Sequence, residues 1–140
     1  MRLACTCLVA VLLAAGPLLS SGCGGDDDGD SLEGTEWTLV SGVEMPPDAV
    51  PTLSFDSDVV RGRAVCNDFG GPYELDGDSI EIGEMDMTAV GCGDRERERM
   101  EETYLSVFAE VDHWSVEGER ELVLTSDGDE LLRYAATIDP

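Results

Sequence analysis

Cysteine and histidine are the residue types in this chain whose spacing could support covalent or metal chemistry. A cysteine thiol can carry a lipid, form a disulfide or bind a metal ion. Zinc needs four ligands at suitable spacing, and the two later cysteines with one distant histidine do not supply them, so we predict no metal site. The 140 residues contain five cysteines and one histidine: Cys5, Cys7, Cys23, Cys66, Cys92 and His113.

The other candidate catalytic groups form no known constellation. His113 precedes Trp114 at the start of a predicted strand, and the Gly-x-Ser-x-Gly turn of a serine hydrolase is missing from the sequence. Residues 26–30 resemble the start of a calcium loop, but the sixth and twelfth places hold Ser31 and Trp37 instead of Gly and Glu. We therefore predict no catalytic residue, no cofactor and a protein that is not an enzyme, with His113 as a surface or packing residue.

The charge balance excludes two classes of partner. The chain has 31 acidic and 8 basic residues, all of the latter arginine, for a formal net charge of -23. Nucleic-acid binding needs a basic surface that displaces counterions, and binding to an anionic membrane surface needs one as well. A hydrophobic fraction of 42% is enough for one packed domain.

The first residues predict export. Arg2 precedes a short apolar run over residues 8–15, which is too brief for a permanent membrane-spanning helix. The following LLSSGC, ending at Cys23, resembles the lipobox of bacterial lipoprotein signal peptides, with Ser20 where leucine is usual and Leu19 one position earlier. We predict a lipoprotein signal peptide over residues 1–22 and lipidation of Cys23. The alternative is an ordinary secretory signal with an incidental cysteine.

The segment after the cysteine has the composition of a tether. Residues 24–30 are glycine and aspartate alone, which makes a flexible polar linker. Two or more acyl chains on Cys23 would hold the protein to a membrane, since each buried CH2 contributes roughly 0.8 kcal/mol. We therefore predict a lipidated cysteine and acidic tether over residues 23–31. The predicted location is extracytoplasmic, with palmitate-type acyl chains in the bacterial cell membrane.

Removal of the signal peptide and lipidation of Cys23 leave two cysteines. Cys66 and Cys92 lie 26 residues apart, in a compartment where disulfides persist. A disulfide over this loop would stabilise the fold by about 3 kcal/mol. It would also staple a turn beginning at Cys66 to the start of a predicted helix. The alternative is a pair of buried free thiols.

From residue 32 onward, apolar residues mostly alternate with polar ones, as in half-buried strands. About eight short strands are predicted, which favours a barrel, a roll or a sandwich. The alternating apolar positions are Trp37 and Leu39, Leu53 and Phe55, Val60 to Cys66, Tyr73 and Leu75, Ile80 and Ile82, Trp114 and Val116, Leu122 and Leu124, and Leu132 and Tyr134.

Residues 94–111 break this alternation and predict one amphipathic helix, with Asp94 as its N-cap. Its apolar stripe consists of Met100, Tyr104, Leu105, Phe108 and Val111. Oppositely charged residues three or four apart predict a solvated face, with a recognition patch as the alternative. The predicted pairs are Arg95–Glu98, Arg97–Glu101 and Arg99–Glu102.

Three sequence motifs stand out in the mature chain: LEGTEWTL at residues 32–39, RGRAVCNDFGGPY at residues 61–73 and MTAVGC at residues 87–92. They resemble, in this order, the opening motif, the central motif and the second cysteine motif of the META domain family, to which the heat-shock lipoprotein HslJ belongs. The resemblance extends over about residues 32–136, and we assign residues 32–140 to a META-like domain. The matching motif residues, read as structural, are Trp37, Cys66, Asn67, Phe69 and Gly71.

The sequence departs from the family pattern at Val65, Asp68 and Val90-Gly91. If the arginine that is common at the place of Asp68 makes a partner contact in the family, this chain lacks it. The resemblance implies a small antiparallel β-barrel-like or roll fold, mainly β with one helix. It also implies a role in envelope physiology, secretion or stress tolerance, with no established catalytic mechanism.

These observations lead to two hypotheses from different classes. The first is a lipid-anchored, non-enzymatic envelope protein that binds an unidentified envelope protein or supports envelope stability. The alternative is a carrier that holds a small apolar ligand or lipid inside its barrel.

Overall fold

The computed structural model describes residues 32–118 and 120–137. The predicted signal peptide (1–22), Cys23 and the tether (23–31) lie outside the described residues. The fold is mainly antiparallel sheet with one helix, which confirms the predicted class. Its elements are β1 (Thr35–Ser41), β2 (Thr52–Phe55), β3 (Val59–Arg63), β4 (Asp68–Asp76), β5 (Ser79–Ile82), β6 (Asp86–Met87), α1 (Arg95–Ala109), β7 (His113–Glu117), β8 (Glu121–Ser126) and β9 (Asp129–Ala136).

The strands form a sheet that nearly closes on itself. Their order is β3-β2-β1-β9-β8-β7-β5-β4-β6, and β3 also pairs with β4, so eight strands form a ring. The β5–β7 join is the weakest, with one register pair between Ser79 and His113. Backbone hydrogen bonds from Ile80 N–H to the Asp112 carbonyl (3.0 Å) and from Trp114 N–H to the Asp78 carbonyl (2.8 Å) support it. The fold is therefore barrel-like, with a narrow seam between these two strands.

Alternation along the strands sends the large apolar side chains inward, as period-two patterning requires. Trp37, Phe55, Tyr73 and Ile80 are all buried, so side chains fill the interior of the ring. The largest fully buried residues include Tyr104, Tyr134, Phe55, Phe108, Leu53, Leu122, Leu124 and Leu132.

The third strand is shorter than the alternation over residues 60–66 predicts. It ends at Arg63, which pairs with Asp68 on β4. The Ala64 N–H donates to the Asn67 carbonyl at 2.8 Å, so the chain turns back here. Asn and Asp favour such turns, and their presence outweighs the apolar pattern before them.

Strand β6 is not indicated by the sequence pattern. Its two residues, Asp86 and Met87, are both exposed and pair with Gly70 and Phe69 of β4. A strand of two residues with no buried position has no alternation to detect, so only the folded partner strand defines it.

Helix α1 begins and ends close to the predicted bounds. Asp94 is its N-cap, and its side-chain oxygen accepts hydrogen bonds from the N–H groups of the first turn, as predicted. Tyr104 and Phe108 are buried, and their rings lie 6.0 and 5.5 Å from the ring of Phe69 on β4. The hydroxyls of Tyr104 and Tyr134 share a hydrogen bond of 3.0 Å. The helix is thus packed against both β4 and β9.

Within the described part of the chain, no helix has both the length and the apolar character needed to cross a membrane.

A substitution at Gly62 tests the close packing of β3 against β4. A Cβ at position 62 would lie 2.5 Å from both Cζ of Phe69 and the carbonyl oxygen of Thr52. We expect Gly62→Ala to lower the free energy of unfolding by about 1–3 kcal/mol through overpacking. Gly91→Ala, where a Cβ meets nothing within 4 Å, is the control and should change it by less than about 0.5 kcal/mol. Equal urea midpoints for the two variants would contradict this account.

Candidate functional site

Cys66 and Cys92 form the predicted disulfide. Their Cα atoms are 5.2 Å apart, within the range that disulfides span without backbone movement. Cys66 lies in the turn between β3 and β4, and Cys92 lies two residues before the N-cap Asp94. The bond therefore joins that turn to the segment that enters α1, as the sequence predicts.

Asn67, the next motif residue, connects the same turn to the loop before the helix. Its side-chain Oδ1 accepts hydrogen bonds from Val90 N–H (2.6 Å) and Thr88 Oγ1 (3.0 Å). Its Nδ2 donates to the Val90 carbonyl (3.0 Å) and to Glu101 Oε1 (2.5 Å). The amide therefore pairs with Val90 as a neighbouring strand would, and it also reaches the helix. A side chain with both donor and acceptor is required here, which accounts for asparagine.

Glu101 on α1 completes this network. Its Oε2 accepts hydrogen bonds from the backbone N–H groups of Cys66 (2.6 Å) and Asn67 (2.9 Å), and the residue is only 6% exposed. We call the Cys66–Cys92 disulfide, together with the Asn67 and Glu101 side chains, the clasp. Each of its contacts joins the β3–β4 turn to α1 or to the loop that precedes it.

Burial and hydrogen bonding act in opposite directions on the Glu101 carboxyl. Burial alone raises its pKa, because the charged form loses water. Hydrogen bonds from the Asn67 amide and from the backbone N–H groups of Cys66 and Asn67 outweigh burial, so the pKa of Glu101 is lowered from 4.5. The carboxylate is therefore ionised at neutral pH, with its charge satisfied by fixed donors.

The predicted helix pair Arg97–Glu101 is wrong. Arg97 extends away from Glu101 and donates to both carboxylate oxygens of Asp48, at 2.7 and 2.5 Å. Glu101 points into the protein instead of lining a solvated face. Residue spacing carried the missed signal, because Glu101 precedes the buried Tyr104 by three and Phe108 by seven, which places it on the buried stripe.

The clasp does not fit a metal ion. Among the described residues, Cys66, Cys92 and Glu101 are the one group of at least three His, Cys, Asp or Glu residues whose ligand atoms lie within 4.8 Å of one another. The two sulfurs are bonded to each other, and both carboxylate oxygens already accept hydrogen bonds. The clasp can hold a turn against a helix. It leaves no free set of lone pairs directed at a common point where a metal ion could bind.

The remaining motif residues have packing roles. Trp37 is buried, and its Nε1 donates to Thr35 Oγ1 at 2.7 Å. Phe69 is buried against the aromatic rings of α1. At Gly71, a Cβ would lie 2.6 Å from the Glu84 carbonyl oxygen and 2.8 Å from Met85 Sδ, so glycine allows residues 84 and 85 to cross over β4.

His113 lies at the β5–β7 seam, half-buried, beside carboxylates. Its Nδ1 is 2.7 Å from Asp112 Oδ1, and this contact raises the pKa of His113, with smaller contributions from Asp78 and Asp127. The position agrees with the prediction of a surface or packing residue.

An apolar groove lies beside Phe69. Its volume is about 200 Å³, and it runs between α1 and the segment that carries β5 and β6. Sequence reasoning missed it, because methionines in a loop give no periodic signal. The side chains that line this apolar groove include Phe69, Ile82, Met85, Met87, Leu105 and Phe108.

Glu101→Gln tests the clasp. Replacing one carboxylate oxygen by NH2 places a donor against donors, so we expect the free energy of unfolding at pH 7 to fall by about 1–3 kcal/mol. Because the folded pKa is lowered, ionised Glu101 stabilises the fold above its unfolded pKa, near 4.5, and this contribution is lost as pH falls through the lower folded pKa.

The difference between wild type and Glu101→Gln in urea unfolding should therefore narrow below about pH 4.5. The exposed neighbour Glu102 provides the control, since Glu102→Gln should leave both stability and its pH dependence almost unchanged. A difference that stays constant down to pH 2 would show that the charge of Glu101 is not what the turn requires.

Comparison with known proteins agrees with this geometry. The family model of the META domain matches residues 30–138. Two solved structures share the fold. An NMR structure of a protein from Burkholderia xenovorans has a TM-score of 0.65 at 20% identity, covering 77% of this chain and 85% of that one. Another protein's NMR structure has a TM-score of 0.53 at 20% identity, covering 74% and 90%.

None of the curated proteins matches this chain. The match to the family model covers all of the described residues, including the clasp and the residues that line the apolar groove. It confirms the resemblance carried by the tryptophan and cysteine motifs. The chain therefore belongs to the META domain family.

Proposed function

We propose that this protein is a lipid-anchored, extracytoplasmic lipoprotein whose META domain works without catalysis, by binding an envelope protein. The observation that carries the anchoring is the run LLSSGC ending at Cys23, preceded by a short apolar segment and followed by an acidic tether. The anchor and the linker would hold the domain near the membrane but off its surface, because the tether and anionic headgroups repel each other.

The disulfide supports an extracytoplasmic location. Cys66 and Cys92 are the two cysteines beyond the proposed lipidation site, and they are bonded to each other. Disulfides of this structural kind persist in oxidising compartments and are rare where thiols are kept reduced.

A binding function is favoured over catalysis because the candidate polar groups are already engaged in structural contacts. The Glu101 carboxylate is fully used in the clasp, and His113 faces carboxylates at the seam. A carrier function is less well supported than partner binding, because Trp37, Phe55 and Tyr73 occupy the ring interior where an apolar ligand would lie. We propose that the partner belongs to the envelope and that the complex supports envelope stability under stress.

Cys23→Ser tests the anchor. Without the thiol no acyl chain can be attached, so we expect the protein to move from the membrane pellet to the soluble extracytoplasmic fraction, followed by immunoblotting. Cys5→Ser with Cys7→Ser is the matched control, because both residues belong to the proposed signal peptide, and pelleting should be retained. Unchanged pelleting of Cys23→Ser would refute the lipid anchor.

Crosslinking in living cells tests the partner. With a photo-crosslinking residue placed at exposed surface positions, we expect one defined envelope protein to be recovered from the native lipidated form. The Cys23→Ser form should recover less of it, since tethering raises the local concentration. A set of neighbours that merely follows protein abundance would contradict partner binding.

A further inference from the structure

The apolar groove exists because the ring of strands is incomplete on one side. β5 meets β7 through a single register pair at Ser79, and the register partners of β6 lie on β4 alone. The segment from Ile82 to Met87 therefore forms a sheet margin that faces α1 instead of another strand. The helix and this margin leave a cleft between them, at the place where a fully closed barrel would have a paired strand.

The margin of the cleft carries one exposed apolar side chain. Met87 lines the apolar groove and is 52% exposed. Methionine suits partner binding because its unbranched side chain adapts to different shapes. The other exposed large apolar residues, Val40, Val50, Val90 and Val116, do not line the apolar groove.

The size of the apolar groove favours a side chain over a whole small ligand. Pockets for small molecules typically measure about 300–1,000 Å³. The apolar groove, at about 200 Å³, matches one or two large apolar side chains. Its occupant is therefore better described as an anchor residue of a protein than as a lipid or a cofactor.

The segments that line the apolar groove also carry exposed carboxylates, which we call its acidic flanks. Glu84 and Asp86 are exposed, and each precedes a lining methionine by one residue. On α1, Glu98 and Glu102 are exposed and precede the lining residue Leu105 by seven and three positions, which puts them on the same face of the helix. Among the described residues, Arg95 and Arg99 form no ion pair with Glu98 or Glu102, contrary to the predicted helix pairs, and the guanidinium of Arg97 is bound to Asp48.

The charge of the chain distinguishes the molecules that could occupy the apolar groove. A second copy of this chain would be repelled, because both copies carry a net charge of -23, and anionic lipid headgroups would be repelled in the same way. A segment rich in Lys and Arg would be attracted, and its charges would meet carboxylates on both sides of the cleft.

We propose that the apolar groove binds a basic segment of a protein partner, which inserts one large apolar side chain beside Met87 and places Lys or Arg against the acidic flanks. This inference rests on the proposed function and specifies the chemistry of its partner. The clasp contributes by fixing the start of α1 relative to β4, so the width of the cleft is set before binding.

Three synthetic peptides test the proposal on the full lipidated chain, held in nanodiscs of zwitterionic phosphatidylcholine. The first carries lysines around one central leucine, the second has serine in place of the leucine, and the third has glutamate in place of the lysines. We expect the first to bind, more weakly as salt rises, and the other two to bind at least about tenfold more weakly. Equal binding by the first two would overturn the proposal in favour of nonspecific attraction.

Variants locate the binding. Met87→Ser should weaken binding of the first peptide about tenfold, whereas Val40→Ser, at a similarly exposed position on β1, should not. The double variant Glu84→Gln with Asp86→Asn should weaken binding of the first peptide and make that binding less dependent on salt concentration. Asp127→Asn with Asp129→Asn removes the same charge in the β8–β9 turn and should have a smaller effect. Both exposed-site serine variants should keep the wild-type thermal unfolding curve.

Equal losses of peptide binding in Met87→Ser and Val40→Ser would overturn the proposal.

Failure of this proposal can be distinguished from failure of the proposed function. If cell crosslinking recovers one envelope protein and Met87→Ser does not reduce it, the partner binds elsewhere and the apolar groove is not its site. If the first peptide binds at Met87 while crosslinking recovers no defined protein, the apolar groove binds basic segments but the envelope-partner function is refuted.

Discussion

The ionised carboxylate of Glu101, buried against two backbone N–H groups, is the interaction on which the rest of the arrangement depends. A buried charge is costly unless fixed donors surround it. Here the donors belong to the β3–β4 turn and to Asn67, while the carboxylate belongs to α1. The turn and the helix therefore have to lie at one distance and orientation, and the Cys66–Cys92 bond restrains the same pair of elements covalently.

This constraint also explains how a small sheet tolerates an incomplete ring. The β5–β7 seam has one register pair, so strand pairing alone does not hold that side closed. The helix packs against Phe69 of β4 through Tyr104 and Phe108, and the clasp holds its first half in place. The same geometry leaves the margin of β5 and β6 unpaired by a further strand and creates the apolar groove beside it. A structural necessity of the fold thus produces the surface that we propose for binding.

Sequence reasoning succeeded where the signal was periodic or chemical. Alternation located Trp37 and Leu39 on β1, and spacing of three and four located α1 with its cap at Asp94. It failed at Glu101, because a carboxylate four residues after Arg97 suggests a surface ion pair. The spacing from Glu101 to the buried Tyr104 and Phe108 indicated that its side chain faces inward. The N–H donors that satisfy it lie more than thirty residues earlier and are oriented by a turn, so no local pattern reveals them.

The sequence by itself determined the mainly β class with one helix and the META family, since each follows from local periodicity or a motif. Only the tertiary structure decided that Cys66 and Cys92 are bonded to each other, where the ring stays open, and which acidic residue is buried. It also decided that Met85 and Met87 line one groove together with Leu105. These features arise from contacts between elements that are distant in sequence. Such contacts are selected by the shape of the folded sheet and by the need to satisfy every buried polar group.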